Sequence, residues 1–445
     1  MKNSKIYHLY RRAGFGISPK DYKELTDKNL DQCIEALFQY DNKNYLDYFP
    51  KKGAQELMNG NIGDRNTIIK ELIYEMAFNK KDALINRMVL FWHGHFACKI
   101  PYNHRIIQYI NVLRKHGLGS FKNLLVEVSK TSAMMHFLNN QHNLLRNPNE
   151  NYARELLELF TIGRGNYSEA DIKAATTSLA RWKVNSSDEC YEAGFYVNKA
   201  TLSFMGKTGV FTPEEIIDII LEKKETAAFI ASKLYSYFVN EKIDEAHLQE
   251  LTQVLYRSEY DLEKTMKFLL EADWFYNRKN TNSKIKSPID LMVNVIQLSG
   301  MDLSNFFLNF TLNKLGQIPF APPNVEGWKK GKSSLTGLTY LHRLNAFYSL
   351  SRNIEKDKVT PHKFVPKKFM MKGINKRKIY LDLKDLNAAF GKFKSKENWK
   401  DFIELYLPKE ENKTQVAQEA QTIASSSSNL EGLRFLLSKI AFQFS

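Results

Sequence analysis

Along most of the chain, apolar residues recur at i, i+3, i+4 and i+7, the spacing that lines one face of a helix. This spacing predicts helices over 66–92, 105–115, 119–139, 149–162, 168–182, 213–223, 226–239, 244–256, 261–272 and 288–299. Several starts are marked chemically. Thr212-Pro213-Glu214-Glu215 supplies a capping hydroxyl, a proline at the first helical position and acids in the first turn. Ser168 with Asp171 forms a capping-box variant, and Ser287-Pro288-Ile289-Asp290 opens a further helix in the same manner. One stretch reads as β: Phe195–Asn198 and Thr201–Met205 flank a short polar turn. Strand–helix–strand alternation is lacking, so the expected fold is mainly α, a multi-helix globular body with one small β-hairpin near 195–205.

Composition adds limits. The chain has 445 residues, 43% of them hydrophobic and 13% aromatic, enough to build a sizeable core. No apolar run is long enough for a transmembrane helix, and the first twenty residues show no secretory signal peptide, so sequence alone points to the cytoplasm. The three cysteines, Cys33, Cys98 and Cys190, are too few for a disulfide framework. Formal net charge is +15, and its distribution is uneven: residues 353–400 hold thirteen Lys and one Arg against five acids. The chain therefore divides into a helical body, 1–352, and a basic, partly helical C-terminal region, 353–445. The basic stretch suits an acidic partner protein or a polyanion; its preference for Lys over Arg and the lack of any base-reading motif argue against nucleic acid. Gly206-Lys207-Thr208 is not a phosphate-binding loop, because position 201, where the first glycine belongs, is Thr201.

The most informative local pattern is 149–161. At 100° per residue, Tyr152, Ala153, Leu156, Leu157, Leu159 and Phe160 share one face. Glu150, Asn151, Arg154, Glu155, Glu158 and Thr161 share the other, which carries no lysine in a lysine-rich protein. One reading is a solvated face laced by i,i+4 pairs. The other is a polar site in which an arginine keeps one carboxylate ionised while a desolvated neighbour does acid–base work. On the second reading Glu150, Arg154 and Glu158 are buried and meet His93 or His95 in a shared pocket.

Phe91-Trp92-His93-Gly94-His95-Phe96 places two histidines two residues apart. On a continuous helix they lie about 200° apart and cannot share a metal; if Gly94 ends the helix they can converge, with carboxylates of 149–161 completing a divalent-metal site. Embedded among four aromatics and following an apolar helix, such histidines more often belong to a core. Pro322-Pro323-Asn324-Val325-Glu326-Gly327-Trp328 reads as a rigid turn, and Arg11-Arg12-Ala13-Gly14-Phe15-Gly16 offers Arg12 as an anion contact.

His8–Gly16, Phe91–Phe96, Asn149–Gly163, Tyr167–Ile172 and Pro322–Trp328, in this order, resemble a bacterial family known only as domain of unknown function 1800. The resemblance covers about residues 5–350. It implies no settled reaction, and implies an envelope or exported setting only by association. It raises the functional standing of His93, His95, Glu150, Arg154, Glu155 and Glu158, and of Arg12, Asn149, Asn151, Asn324 and Trp328 as binding residues. Two departures stand out. The resemblance implies a His-Asp pair and then Lys in the hairpin, where this chain reads Tyr196–Lys207 without that pair, and Leu-Asp-Asn where it has Leu138-Asn139-Asn140.

Two functions follow. One is a hydrolase or transferase on a polar biopolymer: a glutamate among Glu150, Glu155 and Glu158 as base, Arg154 holding an anionic group, and His95 as acid or metal ligand. The alternative is a non-catalytic binding or scaffold protein of the cell envelope whose site has degenerated.

Overall fold

A computed structural model describes residues 2–41 (save 19, 20, 22, 23 and 26), 62–193, 200–299, 303–352 and, in the C-terminal part, 399–400, 402–403, 406–407, 412–426, 432, 435–436 and 439–443. The basic stretch 353–398 and the expected first hairpin arm, 195–198, lie outside the described residues.

Helices dominate, as the periodicity predicts. In chain order they are α1 Lys2–Ala13, α2 Leu30–Leu37, α3 Ile62–Phe78, α4 Ala83–His95, α5 Asn103–His116, α6 Phe121–Lys130, α7 Ser132–Phe137, α8 Asn151–Glu155 and α9 Glu169–Leu179. After two hairpins follow α10 Pro213–Leu221, α11 Lys224–Phe238, α12 Glu245–Arg257, α13 Leu262–Glu271, α14 Pro288–Ser299, α15 Asn305–Leu315, α16 Gly337–Arg352 and α17 Lys413–Ser426. Three starts carry the expected caps: Ser168 and Thr212 each close a capping box, and Ser287 exchanges side-chain and backbone bonds with Asp290.

Two expected helices are broken. The run 66–92 divides at Asn79–Asp82, where Asn79 accepts from the Asp82 backbone and donates to its carboxylate, so local side-chain bonds outcompete the helical ladder. The run 119–139 divides at Thr131, whose extended backbone and hydroxyl cap a new helix through Met134 N.

Among the described residues there are two antiparallel hairpins, where the sequence predicts one. β1 (Trp182–Val184) pairs with β2 (Cys190–Glu192), and β3 (Leu202–Phe204), inside the expected second arm, pairs with β4 (Lys207–Gly209). The tip of the first hairpin docks through Asp188, which has φ 61°. Its carboxylate accepts two bonds from Arg105 at 2.9 Å and one each from Ser132 and His104. Burial favours its neutral form, but these bonds hold the carboxyl below its ordinary range.

The core is continuous from α1 to the C-terminal segments, where Trp399, Phe402, Ile403, Leu407, Ala417, Ala420 and Leu436 are buried with it. Tyr406 donates to the Ile17 carbonyl, and Lys286 N to the Gln443 carbonyl, tying residues 399–443 to the start and middle of the body.

Candidate functional site

Helix α4 is apolar nearly all round, with twelve of its thirteen residues buried, and it runs through Gly94 to His95. The two histidines therefore sit on different sides of a helix. His93 Nε2 accepts the Phe320 N–H at 2.9 Å, and its ring packs on Phe320, Tyr109 and Trp328. His95 Nε2 bonds the Phe160 carbonyl at 3.0 Å, so that nitrogen carries the proton. Burial lowers both pKa values to about 3, helped by Arg65 at His93; at His95, Lys233 and Lys330 help while the Phe160 carbonyl opposes. Both rings are neutral near pH 7. A convergent histidine pair is thus not formed, and among the described residues no group of three or more His, Cys, Asp or Glu is placed to hold a metal ion.

The carbonyl that His95 meets belongs to an unusual segment. Past Glu155, α8 widens: Leu156–Thr161 makes π-type turns, with Ile162 N and Gly163 N both bonding the Leu157 carbonyl. Such widenings are rare and often mark working sites. Gly163, at φ 81°, closes the segment against Phe229, where a Cβ would come within 2.7 Å of the ring, so only glycine fits. His95 supplies a donor to a carbonyl that the helix end leaves unpaired.

The polar face of 149–161 is not the buried pocket expected. Arg154 is 37% exposed and Glu150 35%; Arg154 donates to Glu150 at 3.1 Å and, through both Nη atoms, to Glu169 at 2.9 Å. Glu150, Arg154 and Glu158 do not meet either histidine: His95 lies against Phe160 on the apolar side of this helix, and His93 packs on Phe320, Tyr109 and Trp328. Asn149 caps: its backbone N–H donates to Asn143 and its side chain accepts from Asn151 N. Asn151 is exposed.

What the fold does assemble lies one turn further on. Glu158 accepts from Arg164 and, at 2.9 Å, from the Tyr167 hydroxyl; burial would raise its pKa, and these bonds hold it below the ordinary value. Arg164 reaches Glu326 at 3.5 Å. Glu326 belongs to the Pro322–Trp328 turn, which Asn324 shapes by accepting from Glu326 N and, through its carbonyl, from Gly327 N. Gly327, φ 87°, lies against Gly94, where a Cβ would be 3.2 Å from the Gly94 carbonyl. Trp328 is buried on His93.

Glu155, half-buried, sits among these groups and has no hydrogen bond or ion pair among the described residues. Its pKa is raised by burial first and then by Glu158, with Glu326 adding and Arg164 and Arg154 opposing. Two lysines face the same region. Lys330 donates to the Gly94 carbonyl at 3.3 Å; solvent reaches much of its side chain, yet protein crowds the ammonium, and burial with Lys233 lowers its pKa to about 8. Lys233, over the Phe229 ring, is also lowered by burial, against the pull of Glu326. The sequence reading included Glu155 and Glu158 but passed over Arg164, Lys233, Glu326 and Lys330. Glu326 and Tyr167 lay inside quoted motifs; Lys233 and Lys330 carry no local signal and arrive by tertiary packing. Arg12 lies apart, bonded to the Asn280 carbonyl and Ser283 hydroxyl.

The cluster thus draws on three of the five ordered motifs and can move a proton at Glu155 beside a cationic rim. Among the described residues, no helix is long and apolar enough to cross a membrane. No curated protein and no solved structure matches the chain. A family model described as protein of unknown function (DUF1800) matches residues 8–444, both the body and the C-terminal region, and the chain belongs to that family.

Proposed function

We propose that the face formed by Glu155, Glu158, Arg164, Glu326, Lys233 and Lys330 is an acid–base site for hydrolysis or group transfer on a polar biopolymer. Glu155 is the proton-transfer group: it has no partner among the described residues, and burial and two neighbouring carboxylates favour its protonated form. That observation carries the reading. Arg164, fixed by Glu158, and the ammonium of Lys330 orient an anionic or strongly polar group of the substrate. His95 positions the π segment and takes no proton; Arg154, engaged by two carboxylates, stiffens the helix start.

One observation favours the alternative, a binding protein with a degenerate site. Asn139, which stands where the family resemblance implies aspartate, is exposed at φ 59° and offers an amide in place of a carboxylate, so it can neither ionise nor take up a proton.

The two readings separate in a turnover screen against polysaccharide, polyester and peptide polymers. Glu155→Gln is expected to lose about 10²–10⁴-fold in rate, while Glu150→Gln stays near wild type. Equal turnover by the wild type and Glu155→Gln would sink the acid–base role. Saturable polymer binding without turnover, unaffected by Glu155→Gln, would establish the binding reading instead.

A further inference from the structure

A second charged cluster, outside that face, lies where α1, the start of α14, α16 and the C-terminal residues meet. Four cations are buried here: Arg12 at 3% exposure, Arg87 at 5%, Lys286 at 4% and Arg343 at 0%. Lys284 is half-buried beside them. The carboxylate at their centre is Asp290, and it is already engaged: Arg87 Nη1 bonds it at 2.5 Å, and Ser287 donates to it twice. Glu241 is felt by Arg12 and Lys284, whereas Arg343 feels Asp290 alone among carboxylates. Among the described residues, positive charge is therefore in clear excess in a region where solvent cannot screen it.

The donors are in excess too. Arg343 Nη1 bonds the Lys286 carbonyl at 2.9 Å and Gln443 Oε1 at 3.0 Å, but its Nε and Nη2 have no partner. Those two nitrogens form the side edge of the guanidinium, the edge that takes two oxygens of one anion. Gln443 Nε2, next to it, is a third buried donor without an acceptor, and Arg12 leaves Nε and Nη1 unpaired. The Lys286 ammonium rests on the Phe442 ring at 4.0 Å, and burial with Arg11 and Arg343 lowers its pKa to about 7, against Asp290. Native interiors rarely leave so many donors unmet in one place, and every unmet atom of this cluster is a donor.

We propose that this cluster is a binding site for a small tetrahedral oxyanion, phosphate or sulfate, free or carried on a larger ligand, seated on the Nε–Nη2 edge of Arg343 beside Gln443 and Lys286. Such an ion supplies acceptors to the unmet donors and the negative charge that Asp290 alone does not.

The test is thermal unfolding of the full chain titrated with sodium phosphate, sodium sulfate and, at matched ionic strength, sodium chloride. Phosphate or sulfate at a hundredfold excess over its dissociation constant should raise the midpoint by roughly 2–5 °C over chloride. Arg343→Gln should weaken the effect at least about tenfold in apparent affinity, the worth of a charge-assisted bidentate contact. Should that variant not fold, Gln443→Glu keeps the question decidable. Its new carboxylate replaces the amide oxygen that Arg343 Nη1 already bonds and brings a negative charge into the cluster, so it should raise the midpoint without added anion and remove the phosphate increment. A phosphomonoester that stabilises as well as inorganic phosphate would assign the site to a larger ligand; stabilisation by the inorganic ion alone would assign it to the free anion, and both outcomes support the site. Phosphate and sulfate no better than chloride, or an increment retained in full by Gln443→Glu, would overturn it.

Discussion

Two arginines make the main comparison. Arg154 and Arg343 each lie on a helix and each belong to a dense polar cluster, but their surroundings differ. Arg154 is 37% exposed and is engaged by two carboxylates: Glu169 on its fork, Glu150 one turn before it. Arg343 is fully buried and has fewer acceptors than donors. A helical wheel cannot tell these cases apart, since it shows which residues share a face and not what covers that face. The polar arc of 149–161 carries no lysine although it is open to solvent; at position 154 fork geometry gives the reason, because Glu169 takes both Nη donors of Arg154 in a way a lysine could not reproduce. Burial of charge occurs elsewhere, at Arg12, Arg87 and Arg343, on stretches whose local pattern is unremarkable apart from the Arg11-Arg12 pair.

The comparison breaks most sharply at Arg87. It is as buried as Arg12 but fully engaged, with Asp290 and Tyr237 on Nη1, the Gly14 carbonyl on Nε and Nη2, and its plane on the Phe15 ring at 3.9 Å. Arg87→Ala removes the partner of a mostly buried carboxylate, and about 3 kcal/mol of stability should go with it. Asp290 keeps 19% side-chain exposure, which places the loss at the low end for such pairs. Arg343→Met, which removes an unbalanced charge while keeping apolar bulk, should cost about 1 kcal/mol or less. Urea denaturation of both variants gives the contrast directly; equal losses would show that pairing does not distinguish the two sites.

Arg154→Ala sharpens the other side. With its partners exposed, the change should cost roughly 0.5–1 kcal/mol. A loss of several kcal/mol would mean that the face is covered in solution, restoring the buried-pocket expectation that the geometry contradicts.

Fold class and the helix inventory were legible because 3.6-residue periodicity and capping chemistry are local: Ser168–Asp171 and Thr212–Glu215 could be read off and found in place. The breaks at Asn79–Asp82 and Thr131 were less visible, since apolar spacing continues across both. Of the site, the segments were legible but their assembly was not. Whether His93 and His95 converge depended on whether Gly94 ends its helix, and the apolar packing of α4 carries the helix past it. Lys233 and Lys330 could not be found from sequence at all, because nothing near them in the chain announces that α11 and the turn after Trp328 meet above Gly94.

The smallest effect is also the one that tests the candidate site without a substrate. Glu155 and Glu158, three residues apart, are shifted in opposite directions. Glu155 holds its proton more tightly folded than unfolded, so the folded state binds more protons over the interval from the ordinary glutamate value, near 4.3, up to the raised native value. Stability from this residue is fully present below that interval and is lost as pH rises through it. Glu158 behaves in the reverse sense: its stabilising bonds from Arg164 and Tyr167 are present above the ordinary glutamate value and are lost as pH falls toward its depressed native one. Denaturation between pH 3 and 7 should therefore show Glu155→Gln gaining on the wild type as pH rises and Glu158→Gln losing to it, with the two difference curves sloping in opposite directions. Because Glu155 is only half-buried, water shares in screening it and its slope should be shallow. Parallel curves would mean that Glu155 titrates as an ordinary surface carboxylate, leaving the face with no carboxyl that holds its proton above the ordinary range.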